Sequence, residues 1–321
     1  MSTVLPLVSV VIVNWNGKKF LERLLPKLEK QSYPKNKYEI VVVDNNSTTD
    51  NSVEFINANY PDIILIENDR NDGFAGGCNI GINKCKGEYI ILLNNDTEPD
   101  RDWLISLVHS AVKHSAGAVV SKLMYLNKPG IINNAGSEIM ANSTWPIKEI
   151  GANKKDEPAY NKEYEISAFC GASVLLSRKM LEDIGLFDEL FFMYFEDGDL
   201  SWRGQKNNWK YYYCPLSVVY HEHSGSSIEH SDFFTRHVSR NRLMILAKHS
   251  SLKIFFQAYA SFVKDFFIKP IYYGLKRQNR RHQLHTLILG VKIHISLLSR
   301  LPNSFMKRYG LLKEQKLVGT L

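Results

Sequence analysis

Short apolar runs rich in β-branched residues alternate with helical patterns along the first third of the chain. Apolar residues recur at helical spacing over residues 20–28 and again over residues 102–114. The apolar runs predict strands at residues 8–14, 38–44, 63–67, 88–93 and 118–122. This alternation is typical of a mainly parallel sheet flanked by helices, so we predict a Rossmann-like α/β fold.

The middle of the chain has fewer regular patterns. Residues 129–160 are rich in Asn, Gly, Pro and Lys, which predicts loops and short edge strands. Beyond them we predict strands at residues 169–177 and 210–214, helices at residues 178–185 and 196–207, and a polar loop at residues 221–227. These patterns predict two regions: a main α/β domain at residues 1–250 and a helical tail at residues 251–321.

Composition narrows the class of protein. With 321 residues, 44% of them hydrophobic, the chain can bury a large core, which excludes disorder as its main state. The four cysteines form no C-x-x-C pair and no zinc-ligand cluster, so we expect neither a disulfide framework nor a structural metal. The N-terminal segment lacks the basic and apolar regions of a signal peptide, and we expect the chain to start in the cytoplasm.

The charge is unevenly distributed. The formal net charge is +7, but the tail holds 13 Lys and Arg against two acidic residues, a surplus of +11. The first 250 residues therefore carry a net charge of −4. Because the net positive surplus is restricted to the tail, it indicates a surface partner for that region. It argues against nucleic acid as a partner of the whole protein.

Aromatic residues recur at helical spacing between residues 255 and 273 of the tail, with lysines between them. Charged residues interrupt every stretch before the ~20 apolar residues that a membrane span requires. An amphipathic basic helix lying on an anionic membrane surface is one interpretation. A helical cap docked on the main domain, or a dimer interface, is the other.

Polar residues follow three of the predicted strands, at residues 14–16, 44–47 and 94–96. In α/β sheets ligands bind beyond the carboxyl ends of the strands, so we expect these residues to face one site. Glu196 and Asp197 begin a predicted helix after an aromatic run. Each acidic residue alone could be a turn former or a helix cap, but together they indicate a site.

The glycine-rich segment at residues 73–81 fits neither common nucleotide motif. Its spacing fails G-x-G-x-x-G, and no G-x-x-x-x-G-K-[ST] occurs in the chain, so hydride transfer and P-loop hydrolysis are not expected. A helix that begins here could still present backbone N–H groups to a diphosphate. Close packing of the helix start is the alternative.

Five segments carry a family resemblance: VSVVIVNWN (8–16), VVVDNNS (41–47), NDGFAGGCN (71–79), LLNNDT (92–97) and YFEDGDL (194–200). In this order they resemble the motifs of family 2 inverting glycosyltransferases with the GT-A fold, and most of all the rhamnosyltransferase and galactofuranosyltransferase-like branch. The similarity runs from about Val8 to Ser227. It implies that residues 1–250 are a GT-A catalytic domain of a hexosyltransferase and leaves the tail outside.

The resemblance implies roles in donor binding. Asp44 would accept a hydrogen bond from the imide N–H of a uracil or thymine base. The loop from Asn14 to Asn16, together with Asn46, would cover the base and the ribose. Gly73 and Asn79 of the glycine-rich segment are also assigned to the donor.

The resemblance also implies a metal site. Asp96 matches the last position of the family's D-x-D motif, where a carboxylate binds Mn²⁺ or Mg²⁺ together with diphosphate oxygens. The two preceding positions are Asn94 and Asn95, so one anionic ligand remains, and Asn95 is expected to hydrogen-bond the ribose. His221 is the implied second ligand, and His223 is the less favoured choice. An imidazole ligand would favour Mn²⁺, whereas the alternative is two ordinary loop histidines.

Asp197 is the predicted general base, because an inverting transfer needs one carboxylate near the acceptor and none as a nucleophile. With an ordinary Asp pKa of about 3.9 it would be ionised at neutral pH. Glu196 is expected to support it or to contact the acceptor. Asp199 and Arg203 lie four residues apart on one helix, which indicates an ion pair. A contact between Arg203 and the donor phosphate is the alternative.

The sequence therefore predicts an inverting, metal-dependent transferase. It would move rhamnose from dTDP-rhamnose, or a sugar from a UDP donor, onto a hydroxyl of a cell-surface glycan or a lipid-linked acceptor. We expect it in the cytoplasm, peripheral on the inner face of the plasma membrane. The sequence leaves open whether the protein forms a homo-oligomer.

Two rival functions remain. The first is a sugar-phosphate nucleotidyltransferase, but NWNG at residues 14–17 is not the basic glycine-rich loop that such an enzyme would need. The second is a catalytically silent homologue that binds a glycan or a membrane. The reduced NND motif at residues 94–96 favours this second rival.

Overall fold

The computed structural model describes residues 5–222, 231–276 and 278–317. Its strands are β1 (Val8–Asn14), β2 (Tyr38–Asp44), β3 (Ile64–Glu67), β4 (Tyr89–Leu93), β5 (Thr97–Pro99), β6 (Ala118–Tyr125), β7 (Ile132–Asn134), β8 (Ser137–Ile139), β9 (Ile147–Glu149), β10 (Tyr164–Ile166), β11 (Ser173–Ser177) and β12 (Tyr211–His221). The central sheet has the order β10-β12-β6-β11-β4-β1-β2-β3. Six of these eight strands run in one direction, and β10 and β11 run against it.

The helices are α1 (Lys18–Glu29), α2 (Ser52–Asn59), α3 (Gly73–Lys84), α4 (Trp103–His114), α5 (Arg178–Ile184), α6 (Glu196–Lys206), α7 (Asp232–His249), α8 (Leu252–Val263), α9 (Lys269–Leu275), α10 (Arg280–Leu298) and α11 (Leu301–Arg308). A π-helix at Lys264–Ile268 joins α8 to α9. Off the main path of the sheet, β5 pairs with the end of β12 and β7 with β6, while β8 and β9 form a separate hairpin.

Both faces of the sheet are covered because the strands are apolar on both sides. In β1, Val10 and Ile12 pack with α1 and α4, whereas Val11 packs with α3 on the opposite face. Successive side chains of a strand point to opposite faces, so a run of apolar residues buries both. The predicted α/β class, with a mainly parallel sheet flanked by helices, is confirmed.

Most predicted elements are confirmed, and the differences have physical causes. The strands predicted at 8–14 and 38–44 match β1 and β2. The strand predicted at 210–214 is too short, because β12 continues to His221 and its end pairs with β5. No pattern predicted α7, since this helix buries charged and polar side chains together with apolar ones. When a buried helix face contains both polar and apolar residues, the apolar residues do not recur at helical spacing in the sequence.

The tail packs against α7. Phe255 and Phe262 of α8, with Ile293 and Leu297 of α10, form one buried cluster with apolar residues of α7. The tail is therefore docked on the main domain, as one of the two interpretations expected. The outward sides of these helices still expose many large apolar residues.

The described helices were tested for length and apolar composition. None of them could span a membrane alone. The bent pair of α10 and α11, which meet at 41°, passes this test together, on length and composition only.

Candidate active site

Three polar side chains from neighbouring strand ends meet at one edge of the sheet. Asn14 ends β1, Asp44 ends β2, and Asn95 lies just after β4. Asn14 Nδ2 donates to Asp44 Oδ2 at 2.9 Å, and Asn95 Nδ2 donates to Asn14 Oδ1 at 2.9 Å. Because β4, β1 and β2 are adjacent and parallel, their carboxyl ends lie side by side. We call Asn14, Asp44 and Asn95 the polar rim.

The loop after β2 fixes the Asp44 carboxylate. Ser47 donates its backbone N–H to Asp44 Oδ1 and its hydroxyl to Oδ2, each at 2.7 Å. Asn16 Oδ1 accepts two backbone N–H groups of the same loop, which ties the loops after β1 and β2 together. Asn16 and Asn46 have φ values of 49° and 64°, in the left-handed region that asparagine tolerates. The loop leaves Asn46 exposed and the Asp44 carboxylate in a fixed orientation.

A second group of polar atoms meets where β5 pairs with β12. Pairing of Thr97 with His221 brings Asp96, the residue before β5, close to the end of β12. Asp96 Oδ1 lies 3.2 Å from His221 Nε2, and both side chains are buried. Nevertheless, Asp96 Oδ1 makes no hydrogen bond within the described residues. An oxygen and a nitrogen that face each other in this way fit two ligands of one cation.

Asn133 orients the His221 ring. His221 Nδ1 lies 2.9 Å from Asn133 Oδ1. An amide oxygen can only accept, so Nδ1 carries a proton, and the other ring nitrogen, Nε2, faces Asp96. Metal-binding histidines commonly donate their other ring N–H in this way. His223 lies outside the described residues.

Glu196 and Asp197 begin α6 after a loop with an unusual backbone. Phe192, Tyr194 and Phe195 have φ values of 68°, 70° and 69°. Bulky residues rarely adopt this region, at a cost of about 1–3 kcal/mol each, and such strain persists only where surrounding contacts impose it. The position of the two carboxyl groups therefore depends on whatever holds this loop.

Two buried residues of α7 hold the loop. Asn241 Nδ2 lies within hydrogen-bond distance, 2.7–2.9 Å, of the backbone oxygens of Phe191, Met193 and Tyr194. Arg240 Nη2 also donates to Phe191 O at 2.9 Å. Sequence reasoning missed both residues because α7 itself was not predicted. The signal that could have indicated them is an Arg-Asn pair one residue before the apolar run at residues 243–247.

The two carboxyl groups are held differently. Asp197 Oδ2 accepts from Gly171 N at 3.0 Å and Oδ1 from Gly198 N at 2.7 Å. Burial raises the pKa of Asp197, and these hydrogen bonds oppose the rise. Burial, and next the Asp197 charge, raise the pKa of Glu196 well above its usual range. Asp197 therefore ionises first, although with a higher pKa than the ordinary value expected from sequence.

Asn79 and Arg203 have structural roles, which corrects their assignment to the donor. The Asn79 amide donates to Phe187 O and accepts from Phe187 N, each at 3.0 Å, so both of its ends are used inside the protein. Arg203 Nε donates to Asp199 Oδ2 at 2.9 Å. Its remaining nitrogens donate to the backbone oxygens of residues 184–186. The ion pair accounts for Arg203, because four of its five N–H groups are bound inside the protein and the side chain is buried.

Gly73 also serves packing. Its φ is 71°, and a Cβ added there would lie 2.4 Å from Phe192 O. The N–H group of Ala75 is not free for a diphosphate either, since it donates to Phe192 O at 3.1 Å. The start of α3 thus packs against and supports the loop before α6. Of the two roles predicted for this segment, the structure favours close packing over diphosphate binding.

A buried acidic cluster elsewhere in the molecule resembles a metal site by composition. Asp188, Asp199 and Glu314 place carboxylate oxygens within 4.8 Å of one another. However, Lys248 Nζ lies 3.0, 2.7 and 2.5 Å from these three side chains. Lys307 Nζ contacts Asp188 and Glu314 at 2.7 and 2.6 Å. Ammonium groups already occupy the position of a cation, so we assign this cluster to stability and not to metal binding.

Relatives of known name are glycosyltransferases. Glycosyltransferase AglE of Haloferax volcanii is 34% identical over 107 residues, which cover 32% of this chain and 35% of that protein. The N-acetylglucosaminyl-diphospho-decaprenol L-rhamnosyltransferase of Mycobacterium tuberculosis is 23% identical over 272 residues, covering 78% and 86%. The chain thus spans about a third of the first relative and most of the second.

A solved structure shares the fold. The mannosyltransferase from Pyrobaculum calidifontis in complex with GDP-Man and Mn²⁺ has a TM-score of 0.56 and 18% identity, over 96% of this chain and 88% of that one. The family described as glycosyl transferase family 2 matches residues 9–185. This match covers more than half of the chain and includes the polar rim, Asp96 and Asn133. On this basis the chain belongs to glycosyl transferase family 2.

Proposed function

We propose that the protein is an inverting, metal-dependent glycosyltransferase that moves a sugar from a nucleotide diphosphate donor to an acceptor hydroxyl. The observation that carries this proposal is the buried pair of Asp96 Oδ1 and His221 Nε2, 3.2 Å apart without a hydrogen bond between them. This pair lies beyond the same strand ends as the polar rim. A metal, a diphosphate and a nucleoside therefore have adjacent places at one edge of the sheet.

The polar rim is suited to a uracil or thymine nucleoside. Asp44 is fixed by Asn14 and Ser47, and a carboxylate in this orientation can accept the imide N–H of either base. Asn95 is the nearest neutral partner for the ribose. We propose dTDP-rhamnose or a UDP-sugar as the donor, and the named L-rhamnosyltransferase among the relatives supports the first choice.

Asp96 and His221 would hold Mn²⁺ or Mg²⁺ together with oxygens of the donor diphosphate. The buried Asp96 oxygen, which has no hydrogen-bond partner among the described residues, and the His221 Nε2 atom that faces it fit such an ion. The ion supplies positive charge that stabilises the diphosphate leaving group. Because a nitrogen ligand replaces a carboxylate, the site favours Mn²⁺ over Mg²⁺.

Asp197 is the proposed general base. In an inverting transfer the acceptor oxygen attacks the anomeric carbon from the face opposite the diphosphate, and Asp197 takes its proton. Two backbone N–H groups keep Asp197 ionised in preference to Glu196. Glu196 Oε2 is buried without a hydrogen-bond partner among the described residues. It can therefore hold its proton and donate to the acceptor, which orients the attacking hydroxyl.

We propose a cell-surface glycan or lipid-linked acceptor, reached at the inner face of the plasma membrane. The relative named above acts on a sugar linked through a diphosphate to decaprenol. Leu284, Ile288, Val291, Ile295 and Leu298 form an exposed apolar stripe along α10, at spacings of four and three residues. Basic residues lie beside the stripe, and both features suit an anionic membrane surface.

A panel of nucleotide sugars tests the enzymatic proposal. Wild-type protein should bind or slowly hydrolyse one of them with Mn²⁺ present and lose this activity in a chelator. Asp96→Ala should lose it as well, whereas Asp62→Ala, an exposed carboxylate between α2 and β3, should not. Binding without any turnover, whatever acceptor is supplied, would favour a silent homologue. Full activity in the presence of the chelator would show that the reaction does not require a metal ion.

A further inference from the structure

Arg242 on α7 is buried, and no carboxylate of the described residues forms an ion pair with it. It is 9% exposed, and its Nε has no hydrogen-bond partner among the described residues. Asp265, which acts on the pKa of Arg242 from the π-helix, forms its own ion pair with Lys269 at 2.7 Å. Burial lowers the pKa of Arg242, but a guanidinium stays charged in proteins. A buried charge of this kind is costly unless a counter-charge arrives.

The other two buried arginines of the described chain show the contrast. Arg203 pairs with Asp199 and caps backbone oxygens. Arg240, two residues before Arg242 on the same helix, donates to Phe191 O, Asn241 Oδ1 and Ser296 Oγ. The fold therefore satisfies buried guanidinium groups where they serve structure. The lack of such bonds at Arg242 points to a ligand.

Trp145 covers the Arg242 guanidinium and remains open to solvent. The guanidinium carbon lies 4.4 Å from the centre of the Trp145 ring, and Trp145 is 53% exposed. A cation over an aromatic face is attractive, but it provides no hydrogen-bond acceptor for the N–H groups. An exposed indole beside a charged group is a common element of sites that bind sugars and other amphipathic ligands.

The elements that carry this pair pack next to the proposed catalytic carboxylates. Trp145 is in the loop between β8 and β9, two residues before Ile147. A Cβ added at Gly198, next to Asp197, would lie 3.0 Å from Ile147 and 3.3 Å from Ile245 of α7. The β8–β9 hairpin and α7, which carry Trp145 and Arg242, thus both pack on the first turn of α6.

We infer that Arg242 and Trp145 form an acceptor subsite for an anionic group attached to the acceptor glycan. The inference rests on the proposed transferase function and adds a class of acceptor to it. The guanidinium would bind the anion through paired N–H···O bonds, and the indole would cover the adjoining sugar or chain. The anion is either a diphosphate that links the glycan to its carrier or the carboxylate of an acidic sugar.

Binding of three matched probes tests the subsite and separates the two sources. Octyl diphosphate, octyl glucuronide and octyl glucoside share one chain and are used below their micellar concentrations, with UDP and Mn²⁺ saturating the donor site. Titration calorimetry should show wild-type protein binding one anionic probe at least tenfold more tightly than octyl glucoside. Preference for the diphosphate indicates a lipid linker, and preference for the glucuronide indicates an acidic sugar.

Arg242→Gln should remove that preference while leaving the affinity for UDP unchanged. Arg236→Gln, an exposed arginine on the same helix, makes the same change in net charge and should keep the preference. Equal binding of all three probes by the wild type, or equal losses in the two variants, would overturn the subsite. Failure of the wild type to bind any nucleotide would instead count against the proposed function.

Thermal stability gives an independent readout. Arg242→Met replaces an unpaired buried charge by an apolar side chain of similar length, so its melting temperature should equal or exceed that of the wild type. Arg240→Met should melt several degrees lower, because it leaves Phe191 O with fewer donors. A drop in Arg242→Met as large as that in Arg240→Met would assign Arg242 to the structure and contradict a ligand role.

Discussion

The polar rim and the proposed catalytic carboxylates differ in how the protein holds them. Asn14, Asp44 and Asn95 come from the ends of adjacent parallel strands, and short loops complete the rim. Glu196 and Asp197 follow a strained loop that α7 holds from outside the family match. One half of the site thus forms with the sheet, whereas the other depends on contacts distant in sequence. Substitutions should therefore affect nucleotide binding and turnover separately.

Asp197→Asn should give the largest effect on turnover. The amide keeps the shape of the side chain but cannot take a proton, so kcat should fall by about 10²–10⁴-fold with little change in donor affinity. Steady-state kinetics and donor titration measure the two quantities. Asp199→Asn is the control on the same helix turn. It removes charge facing Lys248 and Arg203, so it should lower stability more than kcat.

The wild-type pH profile sharpens this assignment. Burial raises the pKa of Asp197, and the base works only when ionised. Activity should therefore fall as pH drops through a value above the ordinary Asp range, and the acid limb should vanish in Asp197→Asn. A residual activity near the wild-type level would contradict the base and make Glu196 the next candidate.

Asn133→Ala tests the metal half of the site from a position that touches neither donor nor acceptor in the proposal. Loss of the amide oxygen frees the His221 ring to change tautomer, so affinity for Mn²⁺ should fall by about 10–100-fold. Titration of activity with Mn²⁺ measures this change, and saturating Mn²⁺ should restore much of kcat. Unchanged Mn²⁺ dependence would mean that His221 is not a ligand.

Much of the rim was predictable because its residues directly follow strands with a clear apolar pattern. Asp44 and Asp96 could be assigned to one site from strand order alone, and the structure brings both to the same edge. His221 could be suggested only by resemblance, since its approach to Asp96 depends on pairing between β5 and β12. Asn79 was wrongly assigned to the donor, and the donor alternative for Arg203 was wrong, because sequence shows a polar residue but not the backbone groups that it binds. The ion pair predicted for Arg203 is present.

The support for the catalytic loop was not predictable from local patterns. Asn241 bonds to backbone oxygens some fifty residues earlier in the chain, and no periodicity of the sequence indicates such a contact.

The contacts of the tail were equally difficult to predict from the sequence. Its positive charge suggested a separate surface region, yet Lys307 and Glu314 belong to the buried ion cluster around Asp188. Truncation after residue 250 would remove these charges together with Phe255, so we expect it to destabilise the main domain.

Asn241→Ala should reduce stability and turnover together while sparing the rim. The part-buried backbone oxygens of Met193 and Tyr194 would lose the Asn241 donor, which costs about 1–3 kcal/mol of unfolding free energy. Denaturant unfolding measures this loss. Donor affinity should remain close to that of the wild type, because the hydrogen bonds that connect the rim residues do not involve α7. An equal loss of donor affinity would show that the two halves of the site are coupled.

The smallest effect is expected for the proposed membrane contact of the tail, where point substitutions are preferable to truncation. Lys292 is exposed on α10 beside the apolar stripe. A basic residue near an anionic surface contributes about 1 kcal/mol, so Lys292→Gln should weaken binding to anionic vesicles about fivefold. Lys35→Gln, an exposed lysine between α1 and β2, makes the same charge change and should bind as the wild type does. Vesicle sedimentation at low and raised salt measures both, and salt should reduce the difference because it screens the surface potential. If neither variant nor salt changes vesicle binding, the stripe on α10 does not face a membrane, and the dimer interface should be tested next by the oligomeric state in solution.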